Sequence, residues 1–229
     1  MNRLACTAVL LVVLTGCSGT GGPAGGSPAP VRGGLALTAT LVSPVDVELS
    51  WAGIDREASS AIVEFATEPG GRYTILEFVP VGRTTFRHPD LMPRTPFHYK
   101  VTPVLGPVSA PIEVDLSKPK AAKPKAATAK AVRPVREAGA APSDVSVVPV
   151  ADGARVTWSD NAQGEEGYLL EIRSLGQSDY RVAGYIDADS TFVELSTMPG
   201  ERKASYRVRA FYRGEPSNIA NQTTGTGAG

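Results

Sequence analysis

Cysteine is nearly absent from this chain of 229 residues, since only Cys6 and Cys17 occur and both lie close to the N-terminus. The rest of the chain can therefore hold no disulfide framework, and packed cores must stabilise it. Histidine is equally scarce, with His88 and His98 alone. No HxH, HExxH or paired-thiol pattern is present, which argues against the usual zinc sites. The sequence predicts no bound metal and no cofactor.

An excess of one charge sign is also missing. Lys and Arg together number 23, Asp and Glu number 23, and the formal net charge is +0. No strong overall field steers the chain towards nucleic acid, so we expect no nucleic-acid partner. The sequence contains neither a GxSxG motif nor a P-loop, and nothing in it singles out a catalytic pair of carboxylates. We therefore expect no catalytic residues and no enzymatic activity.

No apolar run is long enough to cross a membrane. The longest, residues 4–14, has 11 residues and follows Arg3, whereas a transmembrane helix needs about 20. Such a run is typical of a secretory signal peptide. Leu14-Thr15-Gly16-Cys17 resembles the bacterial lipobox. The resemblance implies removal of residues 1–16 and acylation of Cys17 by chains such as palmitate; an ordinary signal peptide with a chance cysteine is the alternative.

Two segments have too few large apolar residues to bury a core. Residues 17–33 are rich in Gly, Ser and Pro and are predicted to form a flexible tether. Residues 117–142 carry seven basic side chains against one acidic one and are predicted to form a disordered or extended linker. This linker is either a self-repelling spacer or a grip on an anionic polymer or lipid headgroup. Residues 225–229 are predicted to be a flexible tail.

The remaining chain is an internal repeat. Four pairs of landmark residues share one offset of 107 positions: Trp51 and Trp158, Glu64 and Glu171, Tyr73 and Tyr180, Tyr99 and Tyr206. Apolar and polar residues alternate over 45–51 and again over 154–158, which is typical of half-buried strands. Turn signals separate these short runs, so the pattern predicts an all-β sandwich or barrel in each half.

Each half resembles a fibronectin type III domain. The resemblance rests on Trp51 and Trp158, on the segment 91–101 leading through Tyr99, and on the segment 158–168. It implies two tandem immunoglobulin-like β-sandwiches at residues 34–116 (copy one) and 143–224 (copy two), joined by the disordered basic linker. Because this fold hosts many functions, the resemblance leaves the function open.

Outward side chains are the candidates for partner binding. Strand alternation in copy one predicts that several apolar and basic side chains face solvent: Ile62, Leu76, Phe78, His98 and Lys100. Adjacent apolar residues on an exposed sheet face favour an interaction patch. The alternative is a β-bulge that shifts the alternation and buries Leu76 and Phe78.

In copy two, alternation predicts an outward face that carries Glu171, four arginines (Arg173, Arg181, Arg207 and Arg209) and the aromatics Tyr185 and Phe211. Such a face suits an acidic or glycan partner, and the alternative is a solvated face with cross-strand Glu–Arg pairs. Asp160-Asn161 and residues 187–190 are rich in oxygen ligands. Calcium binding is the alternative for these loops, but neither matches the EF-hand pattern, so they are interpreted as solvated turns.

Together these features predict an exported protein held in the cell membrane or envelope, outside the cytoplasm, through lipid on Cys17. Its predicted function is that of a non-enzymatic protein-binding, adaptor or spacer module, with another envelope or extracellular protein as its partner. The alternative is a binder of an anionic cell-wall or carbohydrate polymer.

Overall fold

The computed structural model describes residues 34–117 and 139–226. The predicted signal peptide, the tether with Cys17, most of the linker and the end of the tail lie outside the described residues. Within these ranges, no helix is long and apolar enough to span a membrane. Over the described residues, the secondary structure consists of strands and one short 3₁₀ helix, Pro199–Glu201, which confirms the predicted all-β fold class.

The strands follow the alternation of the sequence. In the segment 46–52, Val47, Leu49 and Trp51 are buried, while the intervening polar side chains are not. The strands of copy one are β1 (Ala36–Ser43), β2 (Asp46–Ala52), β3 (Ser60–Ala66), β4 (Thr74–Pro80), β5 (Thr85–His88), β6 (Pro96–Leu105) and β7 (Ile112–Asp115). Those of copy two are β8 (Ser143–Val150), β9 (Gly153–Ser159), β10 (Gly167–Ser174), β11 (Arg181–Asp187), β12 (Phe192–Ser196), β13 (Lys203–Arg213) and β14 (Ala220–Thr223).

Each copy has a small sheet of its own and shares a large one. The small sheets have the orders β1-β2-β5 and β12-β9-β8. The large sheet runs β11-β10-β13-β6-β3-β4 and so joins the two copies edge to edge through β13 and β6. A separate core lies beneath each half of the large sheet, around Trp51 and Tyr99 in copy one and around Trp158 and Tyr206 in copy two.

The last strand of each copy lies on the other copy. Strand β14 of copy two pairs with β6 of copy one, from Ala220 opposite Tyr99 to Thr223 opposite Pro96. Strand β7 of copy one pairs with β13 of copy two, from Ile112 opposite Tyr206 to Asp115 opposite Lys203. The two sandwiches therefore exchange their final strands, which the sequence interpretation as a simple tandem did not anticipate.

Equivalent serines fix both exchanged segments. The Ser109 hydroxyl accepts the N–H of Val208 at 3.0 Å, and the Ser217 hydroxyl accepts the N–H of Val101 at 3.0 Å. Backbone bonds accompany them, because the N–H of Ser109 donates to the carbonyl of Val208 at 2.9 Å and that of Ser217 to Val101 at 2.8 Å. Both crossings thus satisfy the edge of a central strand in the same way, which leaves few unpaired backbone groups there.

Gly106 allows the chain to cross from copy one to copy two. Its φ is +117°, and a Cβ added at this position would lie 2.1 Å from the carbonyl oxygen of Ala210. Any other residue would meet both backbone strain and a clash with the backbone of β13. The crossing from copy one to copy two therefore requires glycine at position 106.

A third apolar cluster joins the two copies face to face. Its buried members are Ile62, Val104, Leu169 and Phe211, and Ile75, Phe78 and Val182 pack against them. Most members form pairs at the 107-residue offset: Ile62 with Leu169, Val104 with Phe211, and Ile75 with Val182. The same face of each copy thus meets its counterpart, as in a self-complementary dimer interface.

This cluster, which we call the junction cluster, corrects two expectations for copy one. Ile62 is 0% exposed rather than solvent-facing, because copy two covers it. Leu76 packs against the core of copy one, because a β-bulge after Val63 skips this residue and brings Ile75 opposite Glu64. Phe78 faces away from the core as expected, but it is half-buried within the junction cluster.

The bulge recurs in copy two. There, Leu170 pairs with Gly184 and Glu171 pairs with Val182, so that Ala183 is skipped. Ala183 stands 107 positions after Leu76 and likewise packs inwards on its own core. Because a shift by one residue moves a side chain to the opposite face, this repeated bulge places Ile75 and Val182 in the junction cluster.

Phe78→Asp is expected to lower the free energy of unfolding by about 1–3 kcal/mol, because a charged group would replace a partly buried ring. The Phe78 ring contacts that of Phe211 edge to face, with 6.4 Å between centroids. Urea unfolding measures the change. The matched control is Phe192→Asp, since the Phe192 side chain is 57% exposed and should tolerate the charge. Equal losses in both variants would contradict the placement of Phe78.

Candidate functional site

Two buried carboxylates occupy equivalent positions at the centre of the large sheet. Glu64 on β3 and Glu171 on β10 are each 3% exposed. Both stand between apolar neighbours in their strands, and both lie on the sheet face that carries the junction cluster. A buried carboxylate is costly unless cations and hydrogen-bond donors surround it, so the neighbours of these two groups decide their role.

Glu64 receives donors from both copies. The Thr102 hydroxyl donates to its Oε2 at 2.9 Å, and the Arg213 guanidinium donates to its Oε1 at 2.8 Å. Lys100 Nζ lies 3.7 Å from Oε2. Arg213 also donates to Glu166 at 2.9 Å. Because Arg213 belongs to copy two, the charge of Glu64 is neutralised across the boundary between the copies.

Glu171 is held by two arginines of β13. Arg207 Nε donates to one carboxylate oxygen at 2.5 Å and Arg209 Nε to the other at 2.7 Å. Arg209 also donates to the carbonyl of Gly106 in copy one at 2.7 Å. Arg209 lies on the face away from the core of copy two, as alternation predicts, but it is only 7% exposed, so the expectation that it is open to a partner is wrong. Arg209 therefore links the two copies, because it bonds Glu171 of copy two and Gly106 of copy one.

A tyrosine ring covers one cation of each cluster. Lys100 Nζ lies 4.2 Å from the centre of the Tyr73 ring, and the Arg207 guanidinium lies 3.6 Å from that of Tyr180. Such cation–π contacts hold the charged groups in place. Burial, and then the negative charge of Glu64, raise the pKa of the Tyr73 hydroxyl, which therefore stays neutral at ordinary pH.

The other predicted partner-binding residues are in ion pairs or hydrogen bonds. Arg173 lies 3.6 Å from Glu113, and Arg181 forms an ion pair with Glu201. His98 Nδ1 donates to Oδ1 of Asn221 on the exchanged strand β14 at 2.6 Å. The side chains of Arg173 and Arg181 remain 37% and 47% exposed, so they are accessible to a partner although they are paired.

A cleft opens between the copies beside the Glu171 cluster. It has a volume of about 580 Å³ and lies between strand β4 with its following turn in copy one and strands β10, β11 and β13 in copy two. Phe78 and Val182 of the junction cluster line it, as do Tyr180 and the exposed Val81. Apolar groups with polar groups at their margin are typical of a site that binds a protein segment.

The charges that line this cleft are balanced. Three acidic and three basic side chains contribute: Glu77, Asp179, Glu171, Arg83, Arg181 and Arg207. Arg83 pairs with Glu77 at 2.8 Å, so even the exposed charges are partly neutralised. A polyanion gains most from an uncompensated basic surface, which this cleft does not provide.

Strand alternation predicts that Glu171 and Phe211 face outwards in copy two, but it does not identify Arg213. Arg213 and Phe211 act across the boundary between the copies, which the sequence of either copy alone does not reveal. Glu64 and Glu171 carried a usable signal, because each is a glutamate between two apolar residues of a strand and the two share the 107-residue offset. A separate group of three carboxylates, formed by Asp160, Glu165 and Asp189, lies elsewhere in copy two.

The strand order defines the class of fold. Each copy has one three-stranded sheet facing a second sheet, and the last strand of that second sheet comes from the other copy. Apart from this exchange, the arrangement is that of two fibronectin type III-like sandwiches. No protein-family model matches the chain, and no curated protein does.

Solved structures that match the chain include fibronectin type III domains. One from human collagen XX is 20% identical over 35% of this chain and 84% of its own length, with a TM-score of 0.28. A two-domain segment of chicken tenascin is 14% identical over 83% of this chain and 97% of its own length, with a TM-score of 0.26. The FN1–FN3 domains of chicken CNTN1 are 17% identical over 83% and 65%, also with a TM-score of 0.26.

Proposed function

We propose that this chain is a lipid-anchored, non-enzymatic binding or adaptor protein of the cell envelope, and that it holds a protein partner in the cleft between its two copies. The observation that carries this proposal is the cleft of about 580 Å³, whose two walls come from different copies. The exchanged strands and the junction cluster fix those walls relative to each other. A preformed concave site loses little conformational freedom when it binds.

The nature of the lining favours a protein over an anionic polymer. Val81 and Phe78 offer apolar contact, and Tyr180 offers an aromatic face. The carboxylate of Glu171 is already bonded by Arg207 and Arg209, so it is not open to a substrate. The polymer alternative depends on the basic side chains of residues 117–142 rather than on the cleft.

Site-specific photocrosslinking in the native cell tests the cleft. A photoreactive residue at position 81 should form an adduct with one envelope protein, because Val81 lines the cleft and is 38% exposed. The matched control is the same residue at position 42, since Val42 is 46% exposed on β1 and outside the cleft. Adducts at both positions, or at neither, would contradict the proposed docking surface.

Lipid anchoring is tested separately. The Cys17→Ser variant should move from the membrane fraction to the soluble fraction and lose incorporation of labelled palmitate. If this variant stays membrane-bound, the proposed lipid anchor at Cys17 is contradicted, independently of whether a partner binds in the cleft. The polymer alternative instead predicts that the chain co-sediments with purified anionic envelope polymer and is released in 0.5 M salt, because screening weakens charge contacts far more than apolar ones.

A further inference from the structure

Three carboxylates from three loops meet at one end of copy two. Asp160 directly follows strand β9, Glu165 lies two residues before β10, and Asp189 lies between β11 and β12. One oxygen from each lies within 4.8 Å of the others. Two of these residues come from the oxygen-rich segments interpreted from sequence as solvated turns. The structure brings those segments together and adds Glu165.

Within the described part of the chain, the carboxylate of Glu165 is buried without a hydrogen-bond partner for one of its oxygens. The residue is 9% exposed, and its Oε2 accepts no hydrogen bond from any of the described residues. Burying an ionised carboxylate without donors is costly, and two further carboxylates nearby add repulsion. An ion of opposite charge at the meeting point of the three side chains would remove both costs.

Asp160 is held in place by its own neighbours. Its Oδ1 accepts the N–H of Ala162 at 3.1 Å and the hydroxyl of the fully buried Tyr168. These bonds orient the carboxylate before any ion arrives. Asp189 is exposed, so that side of the group is open to water molecules that would complete a coordination shell.

The chemistry of the group selects calcium. All three ligands are carboxylate oxygens. The group offers none of the sulfur and nitrogen donors that zinc prefers, which argues against zinc. Ca²⁺ binds oxygens at about 2.4 Å, so two oxygens up to about 4.8 Å apart can share one ion. Mg²⁺ requires a tighter octahedron and retains its waters, which suits a partly buried and irregular group less well. We propose that Asp160, Glu165 and Asp189 form a calcium site in copy two.

Calcium at this site would tie three loops of copy two together. An affinity of about 0.1–1 mM is expected, as in extracellular calcium modules. At 10 mM CaCl₂, the unfolding temperature of the chelator-treated full chain should then rise by roughly 3–10 °C. Isothermal titration with CaCl₂ should give one site per chain, and 10 mM MgCl₂ should shift the unfolding temperature less.

Neighbouring glutamates provide a matched pair of variants. Glu165→Gln keeps the size of the side chain and removes its charge, so it should abolish the calcium-dependent shift. Its unfolding temperature in EDTA should stay equal to or above that of the unmodified chain, which shows that the fold is intact. Glu166→Gln is the control, because Glu166 pairs with Arg213 and is not part of the group.

The outcomes decide the proposal. A calcium-dependent shift in the unmodified chain and in Glu166→Gln, absent in Glu165→Gln, would establish the site. Absence of both heat and thermal shift at 10 mM CaCl₂ would overturn it, and so would a shift of the same size in Glu165→Gln. Equal responses to calcium and magnesium would overturn the choice of calcium.

Discussion

A chain that ends at Arg213 should lose the fold of copy one, although every deleted residue belongs to or follows copy two. The deletion removes β14, which covers the edge of β6. It also removes Asn218, whose side chain bonds both the N–H and the carbonyl of Leu37 on β1, and Thr224, whose hydroxyl donates to the carbonyl of Met92. At about 1 kcal/mol per hydrogen bond, the loss approaches the whole stability of a small domain, about 5–15 kcal/mol.

The two tryptophans report on the two copies separately. Trp51 and Trp158 are each 5% exposed, and each lies in the core of its own copy. Truncation in the Trp158→Phe background should give the red-shifted emission of an exposed Trp51. Truncation in the Trp51→Phe background should leave the emission of Trp158 blue-shifted. A simple tandem predicts the reverse result, so the measurement distinguishes the two arrangements.

Engineered disulfides test the exchange in the intact chain, with Cys6 and Cys17 replaced by serine. Asn221 stands opposite His98 on β6, so a chain with Asn221→Cys and His98→Cys should form the disulfide on oxidation. Ser205 is the counterpart of His98 in copy two at the 107-residue offset. Asn221→Cys with Ser205→Cys should stay reduced. Oxidation of only this second pair would show that β14 stays on its own copy.

Glu171→Ala is expected to lower the free energy of unfolding by about 3–5 kcal/mol, the usual cost of removing one partner of a buried ion pair. The Arg209 side chain would remain 92% buried, and among the described residues it would keep the carbonyl of Gly106 as its one acceptor. The cost should be large because the remaining charge is desolvated, rather than because the attraction itself is strong. Urea unfolding at neutral pH measures it.

An exposed ion pair serves as the control for this variant. Arg155 and Glu194 form a similar contact at 2.5 Å, but their side chains are 50% and 48% exposed. Glu194→Ala should therefore lose less than about 1 kcal/mol. Replacing both members of the buried pair, with Glu171→Leu and Arg209→Met, should recover most of the loss. A small effect of Glu171→Ala alone would mean that Arg209 reaches water.

The β architecture was predictable because it depends on local patterns. Alternation around Trp51 and the landmarks shared with copy two give strands, sheet faces and cores without reference to the rest of the molecule. The sequence left a bulge at Leu76 as one of two alternatives, since one skipped residue leaves no mark in an apolar run, and the structure decides in favour of the bulge. It exchanged the faces of Ile75 and Leu76, and with them the identity of the outward apolar patch.

The strand exchange escapes prediction for a different reason. Ser109 and Ser217 make the same contacts on their respective host strands, so the sequence does not distinguish exchanged from unexchanged pairing. Ion pairs between the copies, such as that of Arg213 with Glu64, can be recognised only once the strand pairing is known. The acidic group of copy two was predictable only in part. Asp160 and Asp189 lie in loops whose oxygen-rich sequences stand out, whereas Glu165 joins them only in the folded structure.

The exchange also decides how the molecule would bear mechanical load. Both ends of the described chain lie on copy one: Leu37 near the start bonds Asn218, and the N–H of Gly225 donates to the carbonyl of Pro44 at 2.8 Å. Copy two lies along the chain between these two attachment points. Tension applied to the termini would therefore pass through the contacts of β1 and β14 with copy one, and copy two would stay unstretched until those contacts broke.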